Sequence, residues 1–180
     1  MSEQSKPNGK FWIRSTLECA YIAVFLAVVF AVQFALSSIA GVELVTVLFV
    51  SYAYVFGVRR SIIAATMFST LRMILFGFYP SVLILYLLYY SFLCTMLALL
   101  GKRHARLWKV VLVATVCASL FTLLDDIITP LYYGFSTLVA NTYFYASLPV
   151  MGINCACVAV SVGALFVPLV KVFSIAKKRL

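Results

Sequence analysis

Four ionisable side chains lie in or beside apolar sequence, away from the basic connections of the chain: Glu43, Arg72, Asp125 and Asp126. A charge at the centre of a membrane helix costs about 2.5–3.5 kcal/mol on insertion scales, so such groups face a bundle interior or a wet cavity. Arg72 could form an ion pair with Asp126 or Glu43 that holds helices together. The four groups could equally bind a polar solute, and the sequence leaves both interpretations open.

Aromatic side chains accompany these charges. Tyr79, Tyr86 and Tyr90 fall on one face at helical spacing. Aromatic walls with a few placed polar groups are typical of a small-molecule pocket, although tyrosines also form the aromatic belt at a membrane interface. The predicted solute-binding residues are Glu43, Arg72, Tyr79, Tyr86, Tyr90, Asp125, Asp126, Tyr133 and Asn141.

A polar stripe runs along the predicted fifth helix at steps of three or four residues, which is helical spacing. Its members are Thr115, Ser119, Thr122, Asp126, Thr129 and Tyr133. Neighbouring residues on a helix point about 100° apart, so we expect only one of Asp125 and Asp126 to share this stripe.

Long apolar helices must position these residues, and the composition supplies them. The chain has 180 residues, of which 65% are hydrophobic and 11% charged, and its mean hydropathy is +1.11. A soluble domain of this length needs far more charge to cover its surface. We therefore predict an all-α integral membrane protein, a compact bundle of six transmembrane helices.

Glycines mark most of the expected turns between these helices. We place the helices near residues 12–38, 43–57, 61–77, 80–101, 107–132 and 150–173. They form a single transmembrane domain over residues 12–173, between basic cytoplasmic tails at 1–14 and 174–180. The segment Phe135–Leu148 is less uniformly apolar. It predicts an ordered loop or an interfacial helix on the outer surface.

Lysine and arginine fill alternate connections of this arrangement. The chain has 14 Lys and Arg against 5 Asp and Glu. The basic residues precede the first helix, fill the second and fourth connections and close the chain, whereas the first, third and fifth connections have none. This alternation follows the positive-inside rule for an even number of spans, so we expect both termini in the cytoplasm and no binding of nucleic acid.

Four alanines recur at every fourth residue of the first predicted helix: Ala23, Ala27, Ala31 and Ala35. Small residues at this spacing form a smooth groove that another membrane helix can approach closely. Packing within the bundle and contact with a separate partner both fit this pattern.

Here the chain resembles the substrate-binding (S) components of energy-coupling factor vitamin transporters, which share its length, six helices and cytoplasmic ends. The alanine pattern, together with the short outer turn before Val42-Glu43-Leu44-Val45-Thr46, carries this resemblance across nearly the whole chain. The resemblance implies high-affinity binding of a vitamin-like solute near the outer surface of a prokaryotic plasma membrane. It also implies a transmembrane coupling subunit, which meets the four alanines, and two ATPase subunits.

Motifs for chemistry are absent from the sequence. There is no G-x-x-x-x-G-K-[ST], no H-E-x-x-H and no G-x-S-x-G, and His104 is the single histidine. We therefore expect no catalysis, no cofactor and no metal. Two alternatives remain: a proton-coupled secondary transporter that uses Asp125, Asp126 or Glu43, and an assembly subunit whose charges merely pair.

Overall fold

The fold is all-α. The computed structural model describes residues 16–36 and 44–178, and these form six helices with no strand. The helices are α1 (Thr16–Leu36), α2 (Val45–Phe56), α3 (Val58–Phe76), α4 (Pro80–Lys102), α5 (Leu107–Tyr133) and α6 (Thr137–Lys177). This confirms the predicted all-helical class and the number of helices over the described residues. Glu43 and the two tails up to residue 15 and from residue 179 lie outside the described residues.

Helix α2 occupies the centre of the bundle, where every residue from Val45 to Ala53 is buried. It packs mainly against α4 and α6, and also against α3 and α1. Its 12 residues extend only about 18 Å at 1.5 Å per residue, and their burial shows that neighbouring helices surround it.

The core beside α2 is strongly aromatic. Phe49 of α2 lies 5.2 Å from Phe68 and 4.7 Å from Tyr90 between ring centroids, and Tyr89 lies 4.9 Å from Tyr90. Such edge-to-face and tilted pairs add about 0.5–1.5 kcal/mol each beyond the area they bury. Aromatic packing therefore fixes α2, α3 and α4 against one another.

Three polar contacts gather the basic connections at one end of the bundle, which we call the basic end. The Arg60 side chain bonds to Glu18 at the start of α1. Lys177 Nζ donates to the Val55 backbone oxygen at 2.6 Å, and Tyr54 Oη donates to a backbone oxygen in the α4–α5 turn at 3.3 Å. The alternating basic connections predicted from the sequence therefore meet on a single side.

The sequence interpretation of Phe135–Leu148 differs from the structure. This segment is helical from Thr137, and α6 continues without interruption through Pro149 to Lys177. The sequence instead predicts a separate last helix near residues 150–173, because Phe135–Leu148 is less uniformly apolar. Within an apolar bundle, however, neighbouring helices and side chains satisfy the backbone groups that a proline frees, and the helix persists.

Four helices are long and apolar enough to cross a membrane by length and composition: α1, α4, α5 and α6. Helix α2 is apolar but shorter. These features are compatible with a multi-pass membrane protein, whereas the six spans and the cytoplasmic termini stay predictions.

Candidate functional site

Helices α5 and α6 bring two carboxylates and three hydroxyl groups together. Asp125 accepts hydrogen bonds from Thr129 Oγ1 and from Tyr143 Oη, each at 2.7 Å. Asp126 accepts one from Ser147 Oγ, also at 2.7 Å. Both carboxylates of α5 therefore reach hydroxyl groups on α6.

A cleft opens between these two helices, and we call it the acidic cleft. Its volume is about 280 Å³. It is lined by Phe121, Thr122, Asp125, Tyr143, Ala146, Ser147, Val150 and Asn154. The lining combines one carboxylate, an amide, three hydroxyl groups and an apolar wall, which is the usual make-up of a small-ligand site.

Asp126 keeps one oxygen without a hydrogen-bond donor. Its Oδ1 is buried and has no partner among the described residues, while Oδ2 is bonded to Ser147. A buried polar atom that lacks a partner costs about 1–3 kcal/mol, more when it is charged. No basic side chain of the described residues lies within 4 Å of either Asp125 or Asp126. Asp125, which lines the cleft, and its neighbour Asp126 therefore have no basic partner among the described residues.

Arg72 does not pair with these acids, contrary to one of the two interpretations drawn from the sequence. Its Cζ instead lies 4.3 Å from the centroid of the Tyr86 ring and 5.6 Å from that of Phe76. Its Nε is buried and donates no hydrogen bond to any of the described residues. The other proposed partner, Glu43, lies outside the described residues.

A short aromatic path connects Arg72 to the acidic cleft. Tyr86, which lies beneath the guanidinium, meets Phe121 edge to face at 5.6 Å between centroids. Phe121 in turn forms part of the cleft wall. Tyr86 and Phe121 therefore link Arg72 to the cleft wall, while no ion pair joins Arg72 to Asp125 or Asp126.

The other predicted site residues are dispersed. Tyr90 is buried in the aromatic core, whereas Tyr79 precedes α4 and is 54% exposed. Asn141 and Tyr133 are both exposed near the turn between α5 and α6. Tyr133 alone approaches the site, through Phe135, whose ring lies 6.1 Å from Tyr133 and 6.2 Å from Tyr143.

Sequence reasoning missed Phe121, Ser147 and Asn154, and it did not include Tyr143 among the solute-binding residues. The spacing from Tyr143 through Ser147 and Val150 to Asn154 is four, three and four residues, a helical face that a periodicity search could have found. The prediction of an ordered loop or interfacial helix over Phe135–Leu148 divided this face between two elements.

Helix α1 turns the four regularly spaced alanines away from the bundle. All four of them are exposed: Ala23, Ala27, Ala31 and Ala35. The opposite face of α1 is buried and consists of Ile22, Phe25, Leu26 and Val29. The alanines therefore do not serve the packing of the described helices, and this face remains available to a further helix.

The acidic cleft offers acceptors for hydrogen bonds at positions that its own hydrogen bonds hold. Among the described residues, no three His, Cys, Asp or Glu side chains are placed to hold a metal ion. The arrangement suits the binding of a small molecule that donates hydrogen bonds. Comparison with known proteins finds no matching family model, no matching curated protein and no matching solved structure.

Proposed function

We propose that this chain is the membrane-embedded solute-binding subunit of an importer of the energy-coupling factor type. A small vitamin-like solute binds in the acidic cleft. A separate transmembrane coupling subunit and two ATPase subunits supply the energy for transport, since the sequence itself carries no P-loop.

The observation that carries the proposal is the acidic cleft. Tyr143 and Thr129 hold the Asp125 carboxylate by two short hydrogen bonds, so this acceptor is positioned before any ligand arrives. Pre-positioned groups raise affinity because binding then orders fewer side chains. An assembly subunit has no need of a polar cleft of about 280 Å³ beside such a carboxylate.

The residues that line the acidic cleft indicate the chemical class of the solute. Asp125, Asn154 and Ser147 offer acceptor oxygens, while Phe121 and Val150 provide an apolar wall. Uncompensated carboxylates favour a solute with a protonated amine or with amide N–H groups, since charge-assisted hydrogen bonds are about twice as strong as neutral ones. The volume suits a molecule near the small end of the range for ligand sites.

The exposed alanine face of α1 supports the proposed contact with a transmembrane coupling subunit. Membrane helices associate where small residues let their backbones approach, and Ala23, Ala27, Ala31 and Ala35 present such a surface outward. The coupling subunit is the partner that the proposed importer requires at this face.

A proton-coupled secondary transporter is the second candidate. One observation favours it: Asp125 and Asp126 are adjacent carboxylates without a basic neighbour among the described residues. Ionisable groups of this kind mark proton relays in transporters. A carrier of this type must release its solute readily, whereas the proposed subunit retains it.

Retention of the solute therefore distinguishes the two functions. The chain is purified gently in detergent from cells grown in rich medium, and the small molecules it retains are identified by mass spectrometry. The proposal predicts one stoichiometric solute in the natural chain and in Tyr145→Phe. Tyr143→Phe removes the bond to Asp125 and lowers retention about tenfold or more, since hydrogen bonds to charged groups contribute about 1.5–3 kcal/mol.

Tyr145 is the matched control because it lies two residues from Tyr143 and is 70% exposed. Equal retention by the two variants would place the solute outside the acidic cleft. A natural chain that comes out empty, and that ignores a panel of vitamins, would favour the secondary transporter.

Coupling is tested on the alanine face. Ala27→Leu blocks close helix approach, so uptake by whole cells should fail while the purified variant keeps its solute. Ala164→Leu makes the same change at an exposed position of α6 and should leave both intact. Loss of both uptake and binding in Ala27→Leu, or of neither, would contradict a coupling role.

A further inference from the structure

A second and larger cleft lies at the basic end, between the last turns of α4 and the first turns of α5. Its volume is about 540 Å³. Arg103, Trp108 and Lys109 surround its mouth, and Met96, Leu99 and Leu112 belong to its apolar walls. We call it the basic cleft.

The charge of the basic cleft is not balanced within the described part of the chain. Residues 102–113 contain Lys102, Arg103, Arg106 and Lys109 but no acid. The acids of the described residues are Glu18, which pairs with Arg60, and Asp125 and Asp126 of α5. A ligand with negative charge would therefore complement this mouth.

The apolar walls of the basic cleft would be complemented by an apolar part of the same ligand. The basic cleft is open along its side, because three of its apolar residues are exposed: Leu99 by 44%, Trp108 by 59% and Leu112 by 53%. It extends from Arg103 back to Met96, about 10 Å along α4 at 1.5 Å per residue. A soluble anion would leave this apolar length uncovered.

Trp108 indicates where such a ligand would lie relative to the surface of a bilayer. Tryptophan concentrates where headgroups meet acyl chains, because its ring is apolar and its N–H is polar. Lys109 Nζ lies 5.5 Å from the centroid of the Trp108 ring, so cation and ring stand side by side at the mouth. Basic pockets between membrane helices on the cytoplasmic side bind anionic headgroups.

We infer that the basic cleft binds an anionic phospholipid, with the phosphate between Arg103 and Lys109 and one acyl chain against Leu99 and Leu112. The inference is independent of the solute proposed for the acidic cleft, because that cleft lies between other helix segments. Binding of the lipid does not depend on which solute the chain transports.

Native mass spectrometry of the full chain in detergent tests the binding. Phosphatidylglycerol is added in one series and phosphatidylcholine with the same acyl chains in another. We expect the anionic lipid to bind at least about tenfold more tightly, and Arg103→Gln/Lys109→Gln to weaken it about thirtyfold, since each basic residue near an anionic headgroup contributes a few-fold in affinity.

Lys171→Gln/Lys178→Gln is the matched control, because it removes two exposed cations from the end of α6. It should bind the anionic lipid like the natural chain. Equal weakening in both double variants would show diffuse charge attraction and overturn the inference. Equal binding of phosphatidylcholine would overturn it as well, and so would glycerol phosphate binding as tightly as the lipid.

A fluorescence measurement tests the same point without changing the basic cleft. In a Trp12→Phe chain, Trp108 is the remaining tryptophan, because the sequence has two. Phosphatidylglycerol with brominated acyl chains should quench its emission more than brominated phosphatidylcholine at the same mole fraction. Equal quenching by the two lipids would contradict a selective site.

Discussion

Gly101 provides the sharpest test of how the helices pack, because its position requires the absence of a side chain. It lies in the last turn of α4, and a Cβ built there would stand 2.2 Å from the backbone oxygen of Tyr54 and 3.0 Å from its Cα. Both neighbours are backbone atoms, so no side-chain rotation relieves the clash. Gly101→Ala therefore pushes the ends of α2 and α4 apart.

The size of the effect follows from that distance. Ordinary contacts of a Cβ begin near 3.4 Å, so the helices must separate by roughly 1 Å or rearrange, and overpacking of this kind costs about 1–3 kcal/mol. The hydrogen bond from Tyr54 Oη to the Ala105 oxygen, already 3.3 Å long, is strained by the same movement. For a chain of this size the midpoint of thermal unfolding should fall by about 2–12 °C.

Thermal unfolding of the detergent-purified chain measures this shift, and two other glycines serve as controls. Gly152 and Gly163 lie in α6, and a Cβ at either position meets nothing within 4 Å. Alanine there should be neutral or stabilising, since glycine is the poorer helix former by about 1 kcal/mol. A Gly101→Ala chain as stable as these controls would refute the close approach of α2 and α4.

Two further substitutions test other contacts by thermal unfolding. Arg72→Met removes the cation above the Tyr86 ring and should lower the free energy of unfolding by about 0.5–2 kcal/mol, with the loss much smaller in a Tyr86→Leu background. An equal loss in both backgrounds would argue against stacking. Lys177→Ala removes the bond to the Val55 oxygen and should cost about 1 kcal/mol, whereas Lys178→Ala, which removes a neighbouring exposed cation, should cost nothing measurable. Equal effects of the two lysine variants would exclude a specific contact.

The helical pattern was predictable because apolar length and glycine position determine it. Gly57, Gly77 and Gly134 separate helices and have φ values of 82°, 101° and 64°, which residues with a side chain rarely adopt. Gly101 shows the limit of this rule, since it lies inside α4 and serves a close approach instead. The sequence alone does not show whether a glycine allows a turn with positive φ or a close approach of two helices.

The polar residues of α5 were also recognisable, because charged groups within apolar sequence stand out. Their partners were not, since Tyr143 and Ser147 lie before Pro149 and were assigned to another element. The contact of Arg72 with the Tyr86 ring was equally inaccessible, since the sequence left only an ion pair and solute binding open for Arg72. It depends on how α3 is rotated against α4, which apolar sequence alone does not specify.

Tyr79, Tyr86 and Tyr90 illustrate why helical spacing was insufficient for assigning the site. The three tyrosines share spacing, yet one is exposed before α4, one lies beneath Arg72 and one packs against Phe49. Nearly every direction around an interior membrane helix is apolar, so the pattern of residues does not show which face meets a cavity.

The position of the retained solute tests the central claim most directly. An experimental structure of the chain purified with its solute should show that molecule between α5 and α6. Its donor atom should lie about 2.7–3.0 Å from an Asp125 or Asp126 oxygen. A solute found elsewhere in the bundle, with the acidic cleft unoccupied, would contradict the proposed site.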